Sequence, residues 1–212
     1  MGDRLTVGQR PLKPLIGVRF PVSQQIPWNR TFWYTRKMKE HLDFKSIREN
    51  PELVSKSVYE VASKIEDILV GKIDPQYMNG SDLSSHYDIK LEDGANCIVV
   101  RGKRGEMRMT AAVLVPVGYR ADLNGIVCEK LNAKKVSMAP LEEVLLETGM
   151  EYGSITPVGL PETYKILVDS RLMQKEKIIV GGGKQISKIL VPTAFLKTLT
   201  NVEVIESLAN PA

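Results

Sequence analysis

An α/β domain with a curved mixed sheet and flanking helices is what the 212-residue sequence predicts. Apolar segments of strand length follow one another from Asn96 onward with short helical patterns between them, an order that builds a mixed sheet. Ahead of them, "NPELVSKSVYEVASKIEDILV" (50–70) sets Val54, Val58, Val61, Ile65 and Ile68 three and four residues apart, the apolar stripe of one helix face. The hydrophobic content of 43% and charged content of 25% fit one well-filled core, with disorder local at most.

The elements are expected in this order. Asn50 caps and Pro51 opens the helix over 50–70, and Gly71 ends it. "KIDPQYMNGSDLSSHYD" (72–88) is turn-rich and without a long period. "NCIVVRG" and "MRMTAAVLVP" flank the charged turn "GKRGE", as in a hairpin, although an irregular link would also fit. Asp122 can cap a helix reaching Leu131, "KKVSMAP" forms a short strand, and Pro140 opens a helix "LEEVLLET" that Gly149 stops. Strands follow in "YKILVDSRL" and "KIIVGGGKQISKILV", then a helix begun by Pro192 and an apolar segment "VEVIESL". The chain therefore divides into a basic, aromatic arm (1–49), a helix and linker packed on the core (50–81), the main domain (82–207) and a tail (208–212).

Charge is unevenly placed. The formal net charge is +4, yet residues 1–40 alone carry +6, so the remainder is slightly acidic. Such an arm can follow a phosphate backbone while Trp28, Phe32, Trp33 and Tyr34 stack on bases; equally, "IPWNRTFWY" can be an aromatic clamp onto the main domain. No apolar run approaches membrane-spanning length, and the first residues lack the apolar core of a secretion signal. Cys97 and Cys128 form neither a zinc pattern nor a redox pair, so a cytoplasmic location and no metal are expected.

Few residues offer chemistry by themselves. His41 and His86 sit in no nucleophile or metal motif, His86 being either a surface or capping residue or a pocket contact. "IIVGGGKQIS" fails both the Walker and the dinucleotide spacing, although Gly182 and Gly183 permit a tight turn and Lys184 adds charge. The conspicuous stretch is "TGMEYGSITPVGLPE" (148–162), where glycines and prolines hold backbone amides and carbonyls at set positions. It reads as a wall, or as an ordinary surface connection.

The order of these pieces, "GANCIVVRG", "AAVLVPVGYRADLNGIV", "KKVSMAPLEEVLLETGMEYGSITPVGLPE", "KILVDSRL" and "KIIVGGGKQISKILVPTAFLKTL", resembles the YbaK/ProX family of aminoacyl-tRNA editing domains from about residue 82 onward. The resemblance implies a YbaK/ProX-like fold and hydrolysis of the ester joining a wrong amino acid to the terminal adenosine of tRNA. It implies no cofactor, tRNA or aminoacyl-tRNA as the partner, and an aminoacyl-tRNA synthetase or a second copy of the chain as further ones. In the family's first core strand a lysine stands where this chain has Asn96, which can hydrogen-bond but carries no ammonium. Three outcomes stay open: neutral groups do the work, another residue such as Lys184 supplies the charge, or the module only binds tRNA or an aminoacyl-adenosine-like ligand. The implied catalytic residues are Asn96, Gly153 and Thr156, and the implied substrate contacts are Ser154, Pro157, Gly159, Gly182, Gly183 and Lys184.

Overall fold

The computed structural model describes residues 39–212. Strand β1 (Phe44–Ser46) leads through two single 3-10 turns to helix α1 (Lys56–Ala62), strand β2 (Leu69–Lys72) and helix α2 (Gly80–His86). The long hairpin β3 (Ala95–Arg104) and β4 (Met107–Pro116) follows, then β5 (Tyr119–Ala121), α3 (Ile126–Lys130), β6 (Lys135–Met138) and α4 (Leu141–Thr148). The chain continues through β7 (Lys165–Asp169), β8 (Lys177–Gly181), β9 (Ser187–Pro192), α5 (Thr193–Leu196), β10 (Val202–Ile205) and β11 (Ala209–Pro211).

Two sheets face each other. One has the order β10-β7-β4-β3-β6, mixed because β7 runs parallel to both β4 and β10 while β3 is antiparallel to its neighbours. The other is antiparallel, in the order β1-β2-β9-β8, and a bridge between Gly94 and Ile179 joins its edge to the start of β3. Ala112, Leu114, Ile166 and Val168 from the first sheet meet Val70, Ile178, Val180, Ile189 and Val191 from the second, with Val58 and Ala62 of α1 closing the end of this core. Burial on both faces is why β4 and β7 read as unbroken apolar runs rather than as alternation. On the outer face of the five-stranded sheet, Val127 of α3 and Leu131 just after it pack on Val100, Val113 and Val115. Helix α2 covers the second sheet through Leu83, against Ile73 and Ile179.

The mixed α/β architecture agrees with the sequence reading, and so does the hairpin, which turns at Gly105 (φ 57°). The 50–70 segment differs. Instead of one helix it forms a 3-10 turn (Pro51–Leu53), the two-turn α1 capped by Ser55, and the strand β2. Its C-terminal residues Ile68, Leu69 and Val70 are apolar, mostly β-branched and within reach of β9, so the ladder pairing Val70 with Ile189 outweighs helical periodicity. The stripe is still inside: Val54, Val58 and Ile68 are buried, and Val61 and Ile65 pack on the same core. Gly71 therefore sits within a strand, where an added Cβ would press on Leu42. The N-cap of α3 is Gly125 and not Asp122, whose carboxylate nonetheless accepts from the Gly125 and Ile126 N–H groups at the helix start. Residues 1–38 of the basic arm, with Trp28, Phe32, Trp33 and Tyr34, lie outside the described residues, whereas the rest of the 1–49 segment packs on the domain, β1 pairing with β2 and Ile47 fully buried.

The C-terminal residues are held by one buried carboxylate. Asp169, fully buried at the end of β7, accepts from the Arg171 N–H (3.0 Å), from Arg171 Nη1 (3.3 Å) and from the Ala209 N–H (3.1 Å). Asp169→Ala should strip all three donors of this acceptor and destabilise the fold by about 2–3 kcal/mol, seen as a lower urea midpoint with an unchanged slope.

Candidate functional site

A cavity of about 870 Å³ opens where the start of β3, the turn into β5, the β6–α4 junction and the 150–155 loop converge. Its wall is mainly apolar, formed by residues such as Ala95, Ile98, Val99, Ala139, Val144 and Ile155. Size and lining suit a ligand with a small organic body and a few polar handles. The volume alone exceeds what one amino-acid side chain fills, leaving room for a nucleoside.

The loop that forms one wall is rigid for identifiable reasons. Helix α4 stops at the left-handed Gly149, and the Thr148 hydroxyl donates to the Val144 carbonyl while accepting from the Met150 N–H. The chain then runs back-to-back with the 181–183 turn, the Glu151 N–H donating to the Gly183 carbonyl and the Gly183 N–H to the Ser154 carbonyl, both at 2.9 Å. The Glu151 carboxylate receives the Gln185 N–H at 2.7 Å. Gly153 takes φ 75° and leaves only 2.9 Å between a would-be Cβ and Met78 Cε. Among the described residues, the N–H groups of Gly153 and Ile155, both at the cavity, make no hydrogen bond. They are amides held in place and left available.

Of the residues implied by sequence, Asn96 and Gly153 line the cavity. Asn96 is exposed, and its side chain makes no hydrogen bond to any described residue. Ser154, Thr156 and Pro157 lie behind the wall, buried, and the Ser154 and Thr156 hydroxyls have no partner among the described residues. Gly159, Gly182 and Gly183 are packing positions: an added Cβ would lie 2.3 Å from the Ser57 carbonyl oxygen, 2.1 Å from Ser187 Oγ and 2.2 Å from Ser55 Oγ respectively. Lys184 points away from the cavity lining and donates to the Glu52 carbonyl at 2.7 Å.

The residue that sequence reasoning missed is Lys188. It stands in β9 with 8% of its surface exposed, beside Asn96 in the cavity lining, and forms no ion pair or hydrogen bond through its ammonium among the described residues. Loss of water around the charge pushes its pKa down to about 8. The signal available in sequence was a lone lysine inside "ISKILV", a position expected to be apolar or at an edge. Proximity to Asn96 is a product of the second sheet folding against β3 and is invisible locally.

Other groups narrow the chemistry. The Cys97 thiol also reaches the cavity, but burial pushes its pKa up to about 12, so it is no thiolate nucleophile. Among the described residues no carboxylate or imidazole side chain lines the cavity, and no cluster of metal-ligating side chains exists. The polar side chains of the lining are those of Lys188, Arg120, Asn79, Asn96, Ser81, Tyr119 and Tyr152, beside unspent backbone N–H groups. That set can hold a carbonyl oxygen and stabilise negative charge growing on it.

Comparison with known proteins identifies the family to which this fold belongs. The profile of the family described as "Aminoacyl-tRNA editing domain" matches residues 74–199, more than half of the chain, and the protein belongs to that family. A crystal structure described as a candidate trans-editing enzyme for prolyl tRNA synthetase is 19% identical with a TM-score of 0.61, covering 71% of this chain and 94% of its own. A second, from work on epitope grafting onto scaffold proteins, is 18% identical with a TM-score of 0.61, covering 72% and 95%. A third, described as a hypothetical protein, is 22% identical with a TM-score of 0.54, covering 63% and 85%. These likenesses show the fold. No curated protein matches the sequence. Among the described residues no helix is long and apolar enough to cross a membrane.

Proposed function

We propose that the protein is an aminoacyl-tRNA deacylase acting on mischarged tRNA, with Lys188 supplying the positive charge that Asn96 cannot. The observation that carries this reading is Lys188, 8% exposed and without an ion pair or hydrogen bond among the described residues, in the lining of the same cavity as Asn96. A largely desolvated lysine without a counter-ion costs folding free energy, and strongly perturbed ionisable groups in clefts cluster at functional sites. The aminoacyl group and terminal adenosine enter the cavity, Asn96 orients the ester, and Lys188 with the Gly153 and Ile155 amides faces its carbonyl oxygen. Water adds to the carbonyl carbon, the bond to the ribose oxygen breaks, one proton of that water ends on the ribose oxygen and the other goes to solvent, and the amino acid leaves as its carboxylate. Ser154, Thr156, Pro157, Gly159, Gly182, Gly183 and Lys184 serve by holding the wall. A separate hydrolytic pocket is useful because a synthetase separates side chains that differ by one methylene only ~10–200-fold by binding. No cofactor takes part.

The second reading, a module that binds without turnover, rests on Asn96 itself and on a lining that, among the described residues, holds no carboxylate or imidazole side chain. Single-turnover deacylation over a panel of misacylated tRNAs separates the two. Hydrolysis of at least one substrate well above the spontaneous rate is expected; saturable binding with the ester left intact throughout the panel would establish the module instead.

A further inference from the structure

Resting on the aminoacyl-tRNA reading above, we infer that the outer end of the β6-β3-β4 sheet is the surface that docks the phosphate backbone of the substrate tRNA. The strand register places Lys135 beside Lys103 and Lys103 beside Arg108, and residues paired across strands project from the same face. All three are exposed, and none has an ion pair among the described residues. Like charges set directly opposite one another destabilise a sheet, so a row three strands wide is a feature the fold alone disfavours. The neighbouring row shows the contrast: Arg101 lies two residues earlier on the same face of β3 and is neutralised by Glu143 of α4. Lys134 and Arg104, also exposed, extend the positive surface at its edge, and Arg104 is held in place by donating to the Asn132 carbonyl.

The position suits the cavity. Ile98 and Val99 of β3 and Met138 of β6 line it, and Lys103 follows five residues beyond Ile98, roughly 17 Å along an extended strand. A nucleotide chain whose terminal adenosine occupies the cavity would therefore carry its next few phosphates past this row. Flexible lysine and arginine side chains on a fixed strand ladder read phosphate charge and not base sequence, which suits a domain that must accept a tRNA end by its backbone.

The test uses the full chain and a labelled, unacylated tRNA transcript, with binding followed by fluorescence anisotropy across a series of salt concentrations. In the triple variant K103Q/R108Q/K135Q, affinity near 0.1 M salt should fall at least ~10-fold, and the slope of log affinity against log salt should become shallower by about 2–3. Its melting temperature should be equal or higher, since like-charge repulsion is removed. A variant of equal charge loss on the opposite sheet and its flank, K56Q/K64Q/K72Q, should bind nearly as the parent does. An unchanged slope in the first variant, or the same loss in both, overturns the docking surface. So does a parent protein that ignores tRNA, or that prefers vesicles containing anionic phospholipid. Hydrolysis of an aminoacylated adenosine, too short to reach the row, should persist in the triple variant. If tRNA binds through the row while no aminoacyl ester is cleaved, the surface stands and the hydrolase reading falls.

Discussion

Lys188→Met should reduce single-turnover deacylation by roughly 10²–10³-fold, the loss seen when a preorganised charge-stabilising donor is removed, and at the same time make the fold more stable. Methionine keeps the length and apolar stem of the side chain but not the charge. In the folded protein the ammonium titrates at about 8 because burial removes its hydration. Unfolded, it titrates near ~10.4. Between those values the unfolded chain holds more protons than the folded one, so stability rises with pH across that window. Below pH 8 the full penalty for burying the charge applies, of the order of 3 kcal/mol at ordinary pH. The variant escapes it. Thermal denaturation should therefore show Lys188→Met melting above the parent at pH 7, with the gap closing toward pH 10. Activity should move the opposite way: in the parent, deacylation should fall as pH rises past about 8 and the ammonium is lost. Full activity in Lys188→Met, or a parent rate that keeps climbing through that range with no inflection, would remove Lys188 from the reaction.

The largest loss of stability is expected for Gly159→Ala. The position takes φ 81°, a region that costs an L-residue about 1–2 kcal/mol, and a methyl group there would meet Ser57 O at 2.3 Å, Ser57 C at 2.6 Å and Val58 N at 2.9 Å. Neither side can yield. Ser57 is tied to the end of α4 by its hydroxyl, which donates to the Thr148 carbonyl at 2.7 Å, and Val58 is fully buried in the main core. Overpacking against such backbone adds about 1–3 kcal/mol. A total near 2–5 kcal/mol should lower the melting temperature by roughly 4–20 °C for a chain of this size. Gly105→Ala is the reference: it also has positive φ, but nothing lies within 4 Å of the added carbon, so it should cost only the backbone strain. Equal melting temperatures for the two variants would show that the 159 loop can move away from α1, and that the cavity wall is softer than its hydrogen bonds imply.

Much of this protein was legible one segment at a time. Residues 141–149 announce their helix through Pro140 at its start and Gly149 at its end, because capping is decided within a few residues. The hairpin of β3 and β4 is equally local, with β-branched runs on either side of a glycine turn. The family resemblance was legible for a related reason, since the order of strands and the 148–162 loop survive as linear pattern. The rigidity of that loop could be anticipated from its glycines and prolines; the identity of its clamp, the 181–183 turn, could not.

Where long-range pairing competed with local pattern, only the tertiary structure decided. Residues 50–70 satisfy a helical period, yet Leu69–Lys72 become a strand because β9 offers a ladder partner more than a hundred residues away. Asp169 reads as an ordinary residue at a strand end until the chain brings Arg171 and Ala209 to it. The charge row of Lys135, Lys103 and Arg108 exists only through register, which no single strand contains. The site follows the same rule. Asn96 alone indicates a missing charge, whereas the ammonium that stands beside it belongs to β9, and its lowered pKa is a property of the water excluded by the packed sheets and helix around it. Sequence supplies each group's chemistry; burial and juxtaposition, which set what that chemistry can do, arise when distant segments close on one another and expel solvent.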